Sequence, residues 1–419
     1  MKALTILLTI LALAIAPTAS GTVRYASPSG TDADGLTTCR PGSLRAMVER
    51  LEPGDTLYLL DGQYDQTLTL VINKRASADK WITICAAEER PTAKARPVID
   101  FRQQPNGTNG VKVTGAYIHI KDITIRYAGK KGIWLENASH CILERIEAYG
   151  CCDSGIQLRK GGYNVVVNCD SHDNFDYQDK GGNADGFADK QGGAAFPGNT
   201  YIGCRAWHNS DDGWDSFQRE SKDTPTVYLY CVTYDNGPAE FDLTLHPRAN
   251  GIDRHLPCME GKDLAHFPNS GNPNGFKFGG QGKDNKASGH FSRHDTEASH
   301  CLAVGHRSKG FDQNNNAGKM TVSHCLAIRN NINFGFGNPY PCTLDIRHCV
   351  SIEPVSGEHL ATAAACTVTQ EGNSWNANPH EDGHHRPDLA GRDMVQLLLA
   401  QRQSNGALPE ELLSILKSL

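Results

Sequence analysis

A short phrase, glycine followed by a large apolar residue, returns along this chain at spacings that leave few folds open. It reads KGIWL at Gly132, SGIQL at Gly155, DGFAD at Gly186, DGWDSF at Gly213, NGFKF at Gly275, KGFDQ at Gly310 and FGFGN at Gly335. The successive intervals are 23, 31, 27, 62, 35 and 25 residues. The shortest match one coil of three short strands, and the longer ones add a loop. A unit of that size cannot bury its own apolar face, so units must stack and share a continuous core. Nine residues before the glycine stands a small or apolar residue, Ile123, Ile146, Cys204 or Cys301, with Cys325 ten before. Cys169, Cys231 and Cys349 follow similar apolar strands. That regularity predicts a ladder of buried, unpaired thiols, which behave as small hydrophobes. The fold expected is all-β, a parallel β-helix. The 42 glycines and 7% aromatic content suit its many corners.

The two ends read differently from the repeat. Residues 1–20 carry Lys2, an apolar run from Ala3 to Ala16 and small residues near Ala19 and Ser20, which predicts a secretory signal and a secreted mature chain from Gly21. No later stretch reaches membrane-spanning length. Ser43 is placed to cap a short helix over Leu44–Leu51, and Thr56–Leu60 is expected as the first strand, so that the helix covers the open end of the stack. The 62-residue step holds one further coil, VYLYCVTYDNG, and then a loop from Pro238 to Asn272 lying over one face. From Pro387 the leucines fall at helical spacing with a break at Gly406 and Pro409, predicting two helices on the C-terminal end of the stack. Residues 21–419 are thus expected to form one domain, a monomer. Cys39, Cys85, Cys151, Cys152, Cys258, Cys342 and Cys366 fall outside the thiol ladder and are the candidates for disulfides; Cys141 fits neither group. With 47 acidic against 41 basic residues, nucleic acid is not an expected partner.

Chemistry concentrates between Asn183 and Phe217, where NADGFADK and NSDDGWDSF bring in Asp185, Asp189, Asp211, Asp212 and Asp215. If the two phrases are neighbouring coils, Asp185 and Asp212 lie about 4.8 Å apart, the spacing of adjacent strands. Like charges that close repel by about 4 kcal/mol per pair at intermediate dielectric, so the group calls for a hard divalent cation, Ca2+ being the natural choice for six to eight oxygen ligands. The preceding coil has Ser154 and Gln157 at the corresponding places, which confines the acids to these coils. Lys277 sits two residues past Gly275, the offset of Asp215 from Gly213, and so falls on the acidic face. His380, His384 and His385 in HEDGHHRP are a lesser candidate for a transition metal, and Trp134, Trp207 and Trp214 for stacking on sugars.

NADGFADK, NSDDGWDSF and NGFKFGG resemble the motifs of polysaccharide lyase family nine, the pectate lyase L type. The resemblance extends to the YASPSG…GSL…PGDTLYL opening, to NSWN at Asn373–Asn376 and to SNGALP near the end. It implies a right-handed parallel β-helix that cleaves polygalacturonate by β-elimination. It further implies Asp185, Asp211, Asp212 and Asp215 as calcium ligands, with Asp189 a rival for one of these places, and Lys277 as Brønsted base. The chemistry agrees with the residues: a metal ion neutralises the uronate carboxylate beside the proton to be removed, and an amine takes that proton. Lys190, Arg219, Arg293 and Lys309 are the candidates for pairing other carboxylates of an acidic polysaccharide. Three rival readings stand: a lyase for rhamnogalacturonan or another uronate polymer, a metal-free glycoside hydrolase with paired carboxylates, and a carbohydrate-binding β-helix with structural calcium.

Overall fold

The computed structural model describes residues 21–88, 96–190, 194–280, 289–376, 387, 389 and 392–419. The signal segment expected at 1–20 and the three histidines at 380, 384 and 385 lie outside the described residues. Among the described residues successive coils contribute strands to three parallel sheets, of twelve, ten and ten strands, and the neighbour in each sheet is the equivalent strand of the next coil. This is the parallel β-helix that the repeat demands. Among the described residues no helix is long and apolar enough to cross a membrane.

Register follows the repeat. In the ten-stranded sheet that carries the acidic phrases, Ile133, Ile156, Phe187, Trp214, Phe276, Phe311 and Phe334 are successive Cα partners, all buried. From Phe187 to Phe334 the rings stack with centroids 4.6, 4.8, 4.9 and 5.0 Å apart. Trp214 is therefore core, and Trp207 stacks on His172 outside the third sheet. One assignment of the repeat shifts: Phe334 takes the inward place opposite Phe311, and Gly335 lies opposite Asp312. An aromatic must continue the stack, and it fixes the register over the glycine. Gly213 itself has no room for a side chain; a Cβ there would meet Thr233 Oγ1 at 2.2 Å and the Gly275 carbonyl oxygen at 2.7 Å.

Between the twelve-stranded sheet and the third sheet eight successive coils turn on one left-handed residue each, Asp122, Arg145, Asn168, Gly203, Tyr230, His300, His324 and His348, with φ between 51° and 60°. Such a conformation opposes an ordinary side chain by about 1–2 kcal/mol. The residue that follows is the ladder position, and Cys169, Cys204, Cys231, Cys301, Cys325 and Cys349 are all buried and unpaired there. Cys342 and Cys366, partners on adjacent strands, form a disulfide. Cys39, Cys85, Cys151, Cys152 and Cys258 are free, against expectation, and Cys141 is free within the core. A second ladder lies at the corner leading into the acidic sheet. The Asn174 amide donates to Asn209 Oδ1 at 2.7 Å, and that of Asn209 to Asn236 Oδ1 at 2.8 Å. Satisfied buried amides of this kind fix the backbone just ahead of Asp211 and Asp212.

The ends differ in detail from the sequence reading. Helix α1, Leu44–Glu49, is capped by Ser43 as expected and buries Leu44, Met47 and Val48. A strand, Val23–Thr31, precedes it, so Thr56–Leu59 is second in its sheet. The helices α2, Met394–Leu399, and α3, Glu410–Lys417, lie along the third sheet instead of over the last coil. Leu398, Leu412 and Leu416 cover the outward-facing Val232, Leu302, Leu326 and Val350. Parallel sheets need both faces covered, and those strands carry apolar residues on both. Arg402 ties this segment down through Asp170, at 2.6 Å. Within the 238–272 loop, Phe241, Leu243, Met259 and Phe267 form a small core with Phe175 and Tyr177. Arg248, fully buried, clasps the loop to the carbonyls of Phe101 and Gln104 at 3.0 and 2.7 Å.

On the third sheet His172 lies between the Tyr149 and Trp207 rings, at 5.0 and 4.2 Å. Burial acts to lower its pKa, but hydrogen bonding to Asp173 and the charge of Glu147 outweigh this and hold it at about 9. The folded value thus exceeds the unfolded value of about 6.5. The stabilisation is complete below about pH 6.5 and disappears as pH rises through 9, with a ceiling of about 3–4 kcal/mol. Melting curves of wild type and His172→Gln are expected to differ most near pH 6 and to converge by about pH 9.5. A gap that holds or widens with pH would refute the protonated His172.

Candidate active site

The acids of the two phrases converge as stacking requires. Asp185 and Asp212 occupy adjacent coils, and Asp215 and Lys277 are direct Cα partners on the strands Trp214–Asp215 and Phe276–Lys277. One carboxylate oxygen from each of Asp185, Asp212 and Asp215 lies within 4.8 Å of the others, and all three residues are buried. Lys277 Nζ is 2.8 Å from Asp212 Oδ2 and 3.4 Å from Asp215 Oδ1. Lys190 Nζ bridges Asp185 Oδ2 at 2.9 Å and Asp215 Oδ2 at 2.8 Å. Neighbours hold the frame: Ser154 donates to Asp185 Oδ2 at 2.9 Å, and the Asn274 amide donates to Asp212 Oδ1 at 2.8 Å.

Asp211 stands apart from this trio. Its two oxygens accept the backbone N–H groups of Asn183 and Asn272, so it ties two loops to the corner. Asp189 is a different case, because strand parity turns it into the coil. Phe187 and Asp189 point inward while Ala188 and Lys190 point outward, and Asp189 is the Cα partner of core Leu158. Inside the coil it meets Arg219 at 3.0 Å and accepts from Asn199. Arg219 is fully buried in the same place, so it is a core counter-ion and not a group facing a polysaccharide. Lys309 pairs with Asp312 at 2.8 Å, one coil beyond Lys277, and Arg293 is exposed ahead of the strand Thr296–Ser299.

The electrostatics are those of buried acids with two amines for company. Burial pushes Asp185 up to about 7, against the pull of Lys190. Burial likewise raises Asp211 and raises Asp212 strongly, while Lys190 and Lys277 overcome it at Asp215 and hold that carboxyl below its usual range. Burial acts to lower Lys277, but Asp212 and Asp215 outweigh it and keep the ammonium protonated well above the ordinary lysine value. Lys190 is held up in the same way by Asp185 and Asp215. Asp185 Oδ1 is buried without a hydrogen-bond partner. An all-oxygen donor set with an orphaned buried carboxylate oxygen fits a hard divalent ion, whose 2.3–2.6 Å bonds would span such a trio.

Beside the trio, toward the N-terminal coils, a groove of about 360 Å³ runs past Lys130, Lys131, Trp134, Arg159 and Lys190. Lys131 is paired with Asp153 at 2.7 Å, and the Lys112 ammonium lies 4.6 Å from the centre of the Trp134 ring. Arg159 was missed in the sequence. Its signal is its parity: it lies two residues beyond Gln157 on the outward face, as the Cα partner of Lys190.

Comparison with known proteins bears on this arrangement. A family model described as Pel9A-like, right handed beta helix region, matches residues 24–347. Pectate lyase L of Dickeya dadantii (strain 3937) is 31% identical over 402 residues, covering 93% of this chain and 82% of the relative. Pectate lyase PEL9 of Emericella nidulans is 27% identical, covering 85% and 84%. Among solved structures, that of pectate lyase Pel9A superposes with a TM-score of 0.73 at 28% identity, over 94% of this chain and 88% of that one. A rhamnogalacturonan lyase superposes at 0.71 over 93% and 95%, and its 23% identity speaks for the fold alone.

Proposed function

The chain belongs to the Pel9A-like right-handed β-helix family and is a polysaccharide lyase, and from that premise we propose that it is a secreted, calcium-dependent pectate lyase cutting polygalacturonate by β-elimination. The observation that carries the reading is the register of Asp215 with Lys277, which sets an amine beside three converging carboxylates. Asp185, Asp212 and Asp215 would hold the ion, with Asp211, whose oxygens accept two backbone N–H groups, beside them at the corner as the fourth acid of the set. Bound there, calcium would neutralise the uronate carboxylate and, by like-charge repulsion, draw down the proton affinity of Lys277.

Lys277 takes the C5 proton of the uronate, the electron pair forms the C4–C5 double bond, and the C4–O4 bond breaks with its electrons on O4, which takes a proton from water as the leaving sugar departs. Its low exposure keeps bulk water from the amine. Arg159 and Lys130 line the groove where neighbouring uronates would lie, and a guanidinium suits a carboxylate through two parallel hydrogen bonds. The apolar run from Ala3 to Ala16 behind Lys2 supports export.

The test is ultraviolet absorbance of the unsaturated uronate product, measured on polygalacturonate and on rhamnogalacturonan, with calcium and with chelator. Absorbance is expected to rise on polygalacturonate with calcium and to stop with chelator. A response confined to rhamnogalacturonan would overturn the substrate, and persistence in chelator would overturn the metal. New reducing ends without unsaturation would point to hydrolysis.

A further inference from the structure

We infer, on the reading just given, that Lys190 is the resident counter-cation of the acidic pocket, a tethered ammonium that neutralises Asp185 and Asp215 when the divalent ion is away and competes with it when it returns. The geometry is specific. Lys190 ends the strand Phe187–Lys190 on its outward face, and its ammonium reaches back over Ala188 to carboxylates of two different coils, at 2.9 and 2.8 Å. Ala188 is the Cα partner of Asp215, and the smallness of its side chain leaves that path open. Asp185 and Asp215 are two of the three residues whose oxygens converge within 4.8 Å.

A plain groove cation would stand otherwise. Arg159, the Cα partner of Lys190 in the preceding coil, lines the same groove and forms no carboxylate pair among the described residues. Lys190 alone of these two neighbours turns from the groove into the trio. An ion placed among Asp185, Asp212 and Asp215 must share two of its carboxylates with this ammonium or displace it. Both sharing and displacement weaken ion binding relative to a pocket without the amine. By reciprocity, whatever draws Lys190 toward the groove, such as a substrate carboxylate, strengthens ion binding by the same factor. The arrangement also keeps the buried acids partnered in the ion-free protein.

Calorimetric titration of the chelator-stripped protein with calcium tests this without any measure of turnover. Lys190→Met is expected to bind calcium at least about tenfold more tightly than wild type, within the usual range of such couplings. Lys190→Arg, which keeps the charge, should stay within about threefold. In chelator the Met variant should melt below wild type, and saturating calcium should remove most of that difference. Unchanged or weaker calcium binding by Lys190→Met overturns the inference while leaving the lyase reading in place. No calcium binding by wild type and variant alike refutes the metal reading itself, and this inference with it. Should Lys190→Met fail to fold even with calcium, Lys190→Gln, which can still donate hydrogen bonds but carries no charge, is compared in its stead by the same criterion.

Discussion

Replacing Lys277 with alanine lowers kcat on polygalacturonate by roughly 10²–10⁴, the usual contribution of a positioned general base. The effect should fall on kcat with little change in KM, because the amine acts on the proton in transit and not on the bound chain. Structure persists in the variant, since Lys277 lies on the outer face of its sheet while Phe276 and Phe278 carry the core contacts. Asp212 and Asp215 lose an ammonium at 2.8 and 3.4 Å, so the variant should also bind calcium at least as well as wild type. Steady-state rates at saturating polymer, with calorimetric calcium binding on the same preparation, check both halves. A variant within tenfold of wild-type kcat would remove Lys277 from the role of base. A variant that loses calcium binding would mean that the amine supports the ion site.

Much of this site was legible because a solenoid converts sequence offset into position. Asp215 and Lys277 are 62 residues apart, yet the shared offset from Gly213 and Gly275 puts them side by side, and the structure pairs them. The thiol ladder was legible for the same reason, each cysteine following a left-handed corner. What escaped is what offset does not encode. Strand parity separates Asp189 from Lys190, adjacent in sequence but on opposite faces, whereas in sequence the long step from Asp185 to Asp211 leaves Asp189 a rival ligand. Arg219 counts in sequence among the cations for pairing polysaccharide carboxylates, because nothing local announces a buried counter-ion. Lys190 was read as facing substrate, whereas its length lets it turn back to Asp185 and Asp215. The C-terminal helices were placed on the end of the stack because the apolar outer face of the third sheet, with Val232, Leu302 and Val350, shows only once register is fixed.

Arg219→Met is expected to destabilise the protein by about 3–5 kcal/mol, the loss typical of removing one partner from a buried ion pair. Arg219 and Asp189 are both within the coil, 3.0 Å apart, and Arg219 also donates to the carbonyls of Gly161 and Pro197. Methionine fills much of the guanidinium's space but leaves those carbonyls and the Asp189 carboxylate without its charge. Asn199 and Thr226 still donate to Asp189, at 3.1 and 3.3 Å, and soften the loss without balancing the charge. The melting temperature should fall by about 4–6 °C. Adding Asp189→Leu should recover most of this, because Leu158 fills the same inward place in the preceding coil and a well-packed apolar pair often matches a buried ion pair in stability. The double variant also separates the two acids of the NADGFADK phrase. With Asp189 turned into the core, calcium affinity and turnover on polygalacturonate should remain at wild-type level in Arg219→Met/Asp189→Leu. Loss of calcium binding from a stably folded double variant would return Asp189 to the ligand set, and failure of leucine to restore stability would show that the pair is needed for more than its mutual neutralisation.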